Sequence, residues 1–271
     1  MNMNEVRLPL ALVMIQPDPL PGSYLHKQDS FETIQKQVMK EAEMIVETGF
    51  DGFILQNMHD GPVGQQARPE SIAYMSILAK SLKERYPDKV LGILVNWDGL
   101  ASLAVAAAAN ADFVRVEHLY TGVAVSATGF MQGQCVDICD MKKRIGTDIP
   151  IYVDAQEVNS TYVAPKSKEQ TAVDNIKSAY ADGLFISGNN TEESVEIIKK
   201  VKKRLPHTLT FLGGGATGDN IRELMNYYDG VSVATWIKNG DMKNPIDPVR
   251  AKQFLDEIEK AREDRKKAGK Q

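Results

Sequence analysis

The stretch GFDGFIL, residues 49–55, decides the fold because the chain writes it four times. The other versions are Asn110-Ala111-Asp112-Phe113-Val114, Ala181-Asp182-Gly183-Leu184-Phe185-Ile186 and Tyr228-Asp229-Gly230-Val231-Ser232-Val233. Each follows a helix-patterned stretch, sets an Asp at the turn and opens a short apolar run. The Asp residues stand roughly 50 to 70 positions apart, about the length of two βα units. If these are alternate strands, others must lie between them. Leu8–Ile15, Val90–Val95, Ile151–Val153 and Leu209–Leu212 are short apolar runs with turn residues at their ends, and they fill those places.

Helical periodicity separates the strands. Phe31, Ile34, Val38, Ala42 and Ile45 recur at helix spacing, with Gly49 placed to end the helix. Ile72, Met75, Leu78, Ala79 and Leu82 form a second stripe entered through Pro69, and Leu100–Ala109 is an Ala-rich third. Segments 134–145, 168–180, 192–204 and 217–227 give four more. Asp247-Pro248 caps and opens a last helix through Ile258, after which the charged tail of about 260–271 is expected to fray. Eight strands alternating with eight helices, without a linker, make one domain over 1–271. The fold class is α/β, and near-continuous apolar strands require a parallel sheet covered on both faces. A doubly wound open sheet shares that alternation. The count of eight and the length favour a (β/α)8 TIM barrel.

The 271 residues are 43% hydrophobic and 25% charged with a net charge of −4, an ordinary globular balance. That acidity argues against nucleic acid as a partner. No apolar run reaches the roughly 18 residues a membrane span needs, so no membrane insertion is expected. Met1–Arg7 has no basic start leading into an apolar segment of signal-peptide length. Cys135 and Cys139 are the only cysteines, too few for a zinc site and read as free thiols in a reducing cytoplasm. A homo-oligomer is the default for a barrel with exposed apolar helix positions.

In this fold the chemistry sits on the loops after the strands. Gly213-Gly214-Gly215 follows the seventh strand, with Thr217 or Asp219 expected to start the next helix. Glycines and a helix N-terminus there suit an anion, which makes a small phosphorylated molecule the expected partner, with Thr235 and Lys238 assisting from the eighth strand. A tight turn is the plain alternative. Asp60, Glu117 and Asp154 end the second, fourth and fifth strands and are expected to converge, with His59 and His118 beside them. Such a set suits general acid–base work or a divalent metal; no cofactor is firmly implied. Arg115 and Asn96 would orient the ligand. Asp98 reads as a helix cap, and Trp97 and Trp236 as packing. No strand places a lysine in its core or at its immediate end, which disfavours Schiff-base aldolase chemistry.

With these residues in view, the chain resembles the BtpA (BtpA/SgcQ) family from Leu8 to about Arg250. The likeness rests on Pro19-Leu20-Pro21-Gly22-Ser23, Gly52 through Asp60, Leu91-Gly92-Ile93-Leu94-Val95-Asn96 and Ala111 through Val116. It continues in Gly129–Gly133, the three glycines, and Gly240 through Asp247. The resemblance implies a TIM barrel of the ribulose-phosphate-binding kind. It also implies an association with photosystem I accumulation in cyanobacteria and with sugar or nucleoside metabolism elsewhere, but no fixed reaction. The chain carries Gln16 where the family has His, Gln56 where it has Glu, Glu117 where it has Asn, and Glu157-Val158-Asn159 where it has Lys-His. Scaffold and anion site match better than the acid–base set. The leading expectation is an enzyme on a sugar phosphate or nucleotide-like compound, an isomerase or epimerase, or a hydrolase or lyase. The alternative is a non-catalytic assembly or regulatory factor.

Overall fold

The computed structural model describes residues 7–156 and 160–269. The opening Met1–Val6 and Glu157-Val158-Asn159 lie outside the described residues. The strands are β1 Leu10–Ile15, β2 Gly52–Gln56, β3 Val90–Leu94, β4 Phe113–Val116, β5 Val123–Ser126, β6 Gly129–Gln132, β7 Ile151–Asp154, β8 Thr161–Tyr162, β9 Gly183–Phe185, β10 Leu209–Leu212 and β11 Gly230–Val233. The helices are α1 Phe31–Thr48, α2 Pro69–Arg85, α3 Gly99–Ala109, α4 Cys135–Ile145, α5 Lys168–Lys177, α6 Thr191–Arg204, α7 Ile221–Leu224 and α8 Pro248–Lys267. Eight strands close into a barrel in the order β1-β11-β10-β9-β7-β4-β3-β2, so the open-sheet alternative is excluded.

The four repeated Asp residues explain the pattern that revealed the fold. At the bottom of the barrel each donates its own N–H to the preceding strand and accepts an N–H from that strand on its carboxylate. Asp51 does this with Ala11, Asp112 with Leu91, Asp182 with Ile151 and Asp229 with Thr210, the carboxylate bonds being 2.7–2.9 Å. A cation from a neighbouring helix of the ring completes each one: Arg262 of α8 on Asp51, Lys83 of α2 on Asp112, Lys142 of α4 on Asp182 and Lys202 of α6 on Asp229. One latch is thus written four times around the ring. Small residues follow three of the Asp residues for steric reasons. A Cβ on Gly52 would stand 2.0 Å from the Val90 carbonyl oxygen, and one on Gly230 would stand 2.7 Å from the Phe211 ring.

Strand side chains alternate between two cores, as period two requires. Leu10, Leu12 and Met14 point into the barrel with Ile54, Phe113, Tyr152, Phe185 and Phe211, whereas Ala11, Val13 and Ile15 pack under the helices. Four of the interior rings pack in pairs 5.1 Å apart, Phe113 tilted against Tyr152 and Phe185 stacked on Phe211. They form an aromatic floor beneath the open C-terminal end.

Four expectations change. Residues 123–132 form the β5–β6 hairpin, joined by β8, where a plain loop was expected. The first strand begins at Leu10, because Pro9 has no N–H to give the ladder and its carbonyl is held by Arg262. The helix expected over 217–227 is one turn, Ile221–Leu224. Thr217 and Asn220 exchange side-chain-to-backbone bonds and fold the segment as a loop. The tail does not fray within the described residues. α8 runs to Lys267, since Arg262 and Arg265 are buried and hold backbone carbonyls of Pro9, Met225 and Tyr228.

Candidate active site

The inward parity of the strands selects the residues at the mouth. Continuing past Met14 gives Gln16, past Ile54 gives Gln56, past Phe113 gives Arg115 and Glu117, and past Tyr152 gives Asp154. Arg115 is the hub. Its Nε and Nη2 donate to the two oxygens of Asp154 at 2.8 Å each, its Nη1 lies 3.4 Å from Ser232 Oγ, and Glu117 stands 3.8 Å from Nη2. The guanidinium lies 4.3 Å over the Phe185 ring, so the aromatic floor fixes its plane. Buried among these partners, Arg115 is a bidentate clamp on Asp154. Glu117 is the more open of the two acids, with 20% of its side chain exposed against 12% for Asp154.

A cavity of about 380 Å³ opens above this hub. Glu117, Arg115 and Gln56 line it. So do Gly213, Gly214 and Gly215, with Ser232, Thr235 and Arg250. Gly213 is tightly placed, for a Cβ there would lie 3.2 Å from Arg115 Nη2. Gly215 takes a left-handed φ of +74°, whereas Gly214 has only Ser187 Oγ nearby, at 3.7 Å. The helix N-terminus expected to face an anion is absent, because α7 is one turn and the Thr217 N–H is taken by Asn220 Oδ1. The glycine backbone and Arg250 both line the cavity. That guanidinium is fixed by the Trp236 carbonyl at 2.8 Å and stacks 4.6 Å from its ring. Trp236 therefore packs, as expected, but packs a cation.

The predicted set divides. Glu117, Asp154 and Arg115 come together, and Asn96 reaches them through Gln56, whose Nε2 donates to Asn96 Oδ1 at 2.8 Å and to Glu117 at 3.4 Å. Asp60 does not join them. It accepts from the Leu20 N–H at 2.7 Å and from Asn57 at 2.9 Å, tying two loops together in a separate small cavity, and burial pushes its carboxyl up. Lys238 also stands elsewhere. Only 2% exposed, it pairs with Glu41 at 2.7 Å in a second cavity beside His59. Burial, with the Lys238 charge, holds the His59 imidazole below its ordinary range. His118 is buried with its ring 4.3 Å from Trp97. Asp98 caps α3 as expected, accepting from Ala101 N–H at 2.9 Å. Among the described residues no three His, Cys, Asp or Glu side chains group as a metal would need. Both cysteines are free.

Sequence reasoning passed over Ser232 and Arg250. Strand parity would have found Ser232, since Val231 and Val233 pack outward. Nothing in the local sequence marks Arg250, which lines the mouth cavity from the first turn of α8.

Comparison with known proteins agrees with the architecture. The BtpA family profile matches residues 9–260. A protein of Methanocaldococcus jannaschii described only as uncharacterised is 34% identical over 245 residues, 89% of this chain and 92% of its own. The photosystem I biogenesis protein BtpA of Synechocystis is 27% identical, covering 88% and 84%. Among solved structures, the thiamine phosphate pyrophosphorylase of Pyrococcus furiosus superposes with a TM-score of 0.54 at 15% identity, covering 94% of this chain and 97% of that one. A phosphoribosyl anthranilate isomerase does so with 0.56 at 12%, covering 93% and 98%. Among the described residues no helix is long and apolar enough to cross a membrane. The closed parallel barrel and the match along nearly its whole length agree: the chain belongs to the BtpA family.

Proposed function

We propose that the protein is an enzyme acting on a small phosphorylated metabolite bound across the mouth of the barrel. The observation that carries this reading is the cavity itself, which is lined by the glycine backbone, a stacked Arg250 and the Arg115–Glu117 pair. The phosphate lies against Gly213, Gly214 and Gly215, with the approach to the backbone most open at Gly214 and Gly215, and Arg250 supplies the countercharge. The reactive carbon then faces Glu117, the open carboxylate, which moves the proton. Arg115 steadies charge that develops there, and Asp154 holds the guanidinium in place. Proton transfer next to a carbonyl, as in isomerisation or epimerisation, suits this set. Two superposable barrels are named for phosphate-bearing compounds, in keeping with this reading.

A second reading is a barrel that binds the same compound as a signal without converting it. Bidentate capture of Asp154 by Arg115 favours it, because that leaves Glu117 alone for acid–base work. A thermal-shift screen against inorganic phosphate, sugar phosphates and nucleotides, repeated with Gly214→Asp, tests the site. Position 214 has room for the new side chain, and its carboxylate would occupy the anion's place. Stabilisation of the wild type alone is expected; equal stabilisation of both sinks the phosphate site. Incubation of a stabilising compound, followed by phosphorus NMR with Glu117→Gln as control, separates turnover from binding alone.

A further inference from the structure

The cavity that holds His59, Lys238 and Glu41 has about 350 Å³ and no role in the reading above. Small-molecule pockets run from about 300 to about 1,000 Å³, so it is large enough for a ligand. It adjoins the glycine cavity, and Gln16 and Met242 line both. Gln16 offers a ligand no acceptor, because its unpartnered Oε1 is sealed from solvent. Charge of both signs surrounds the cavity: Lys40, Lys238 and Lys243 against Asp18 and Glu41, with His59 among them.

Three of these side chains carry hydrogen-bonding capacity that the protein leaves unused. Lys238, only 2% exposed, has three N–H donors, and among the described residues Glu41 alone pairs with them, at 2.7 Å. Glu41 spends Oε1 on that pair. Its Oε2 has no hydrogen-bond partner among the described residues, yet it is open to solvent where Gln16 Oε1 is sealed. Both ring nitrogens of the half-buried His59 stand in the same position as Glu41 Oε2. Burial, with the Lys238 charge, keeps that ring neutral, so one nitrogen donates and the other accepts. The set therefore has spare donors at Lys238, a spare acceptor at Glu41 and one of each at His59. A buried ion pair repays its desolvation only when further hydrogen bonds satisfy what the pair itself leaves over.

The mixture of signs decides what such a set takes. An anion only accepts, and it would meet the like charge of Glu41 and Asp18; a cation only donates, and it would meet Lys40, Lys238 and Lys243. A hydroxyl does both. It can accept from Lys238 and donate to Glu41, and adjacent hydroxyls on one carbon chain can engage several of these groups together. Met44 and Ile246 also line the cavity and suit the carbon side of such a chain. We propose that this cavity is a second ligand site and that it takes a neutral polyhydroxylated compound, a sugar or a polyol, held by Glu41, His59 and Lys238. The site needs no phosphate, so it stands or falls apart from the reading of the mouth.

Calorimetric titration of the whole chain tests it, with glucose, ribose, sorbitol and myo-inositol as neutral probes, succinate as an anion and putrescine as a cation. Three variants accompany the wild type. His59→Leu removes both ring nitrogens, and Gln37→Trp brings bulk to the cavity from an exposed position on α1, where folding should tolerate it. Gly214→Asp alters the glycine cavity instead. At least one neutral probe is expected to bind the wild type, more tightly than succinate or putrescine does. Its affinity should fall about tenfold or more in His59→Leu and in Gln37→Trp, and stay unchanged in Gly214→Asp. If no neutral probe binds the wild type, water alone fills the cavity and the proposal falls. It falls equally if a charged probe binds more tightly, or if the neutral one keeps its affinity in either His59→Leu or Gln37→Trp. Loss of binding in Gly214→Asp would put the sugar at the mouth, which overturns this site and leaves the phosphate reading standing.

Discussion

Arg115 shows how one side chain can be both structure and chemistry. It is buried above an aromatic floor and neutralised by Asp154, so removing either partner strands a charge. Arg115→Met is expected to cost about 3–5 kcal/mol, read from urea unfolding. The pair Arg115→Met with Asp154→Leu should recover part of that loss, because the more buried carboxylate is then removed and only the more open Glu117 loses its cation. His59 makes a pH prediction. Its folded-state pKa lies below the ordinary 6.5, so on acidification the unfolded chain takes up the proton first. The stability from the neutral ring is whole above 6.5 and is lost as pH falls below it. Glu41 and Asp60, raised by burial, act in the opposite sense nearer the carboxylate range. The difference between wild type and His59→Gln isolates the imidazole. From about pH 7 to 5 the melting temperature of wild type should fall more steeply than that of the variant.

Among elements, the four Asp latches carry the argument. Each joins two neighbouring strands by a reciprocal pair of bonds and anchors a helix by its cation. Asp112→Ala removes the acceptor of the Leu91 N–H and the partner of Lys83 together, and is expected to cost about 2–3 kcal/mol. Lys83→Met should cost at least as much, since it leaves the fully buried carboxylate without its cation. A Lys83→Met loss well below that of Asp112→Ala in chemical denaturation would show that the backbone bond, not the ion pair, holds the latch. The latches lie at the end of the barrel opposite the mouth, where a (β/α)8 fold keeps its stability apart from its chemistry. An unfolding cost at Asp112 should therefore leave ligand affinity unchanged in the fraction that folds.

For the molecule as a whole, closure is the decisive event. β1 pairs with both β2 and β11, so the two ends of the barrel sequence must meet. α8 secures that meeting, with Arg262 on Pro9 and Asp51, and Arg265 on the carbonyls of Met225 and Tyr228. A chain truncated after Lys260 loses both arginines. At about 1.5–3 kcal/mol for each charged hydrogen-bonding group and about 2–4 °C per kcal/mol, its melting temperature should drop by roughly 10 °C. A truncated chain that melts with the full one would mean that closure needs no such fastening.

The sequence by itself determined the repeat, the eight-fold alternation and the strand-end candidates, because helix and strand periods and turn residues are local signals. The charged tail was misjudged for the same reason: Arg262 and Arg265 look solvated until their carbonyl partners, some 40 to 250 positions away, come into view. The same limit governs the site. Asp60, His59 and Lys238 follow the right strands, yet backbone direction beyond the last strand residue sends them into other cavities. Arg250 and the stranded acceptor on Gln16 exist only once the barrel has closed. Strand periodicity fixes which way a side chain points while the strand lasts; past its end, only the packing of loops against one another decides what a residue meets.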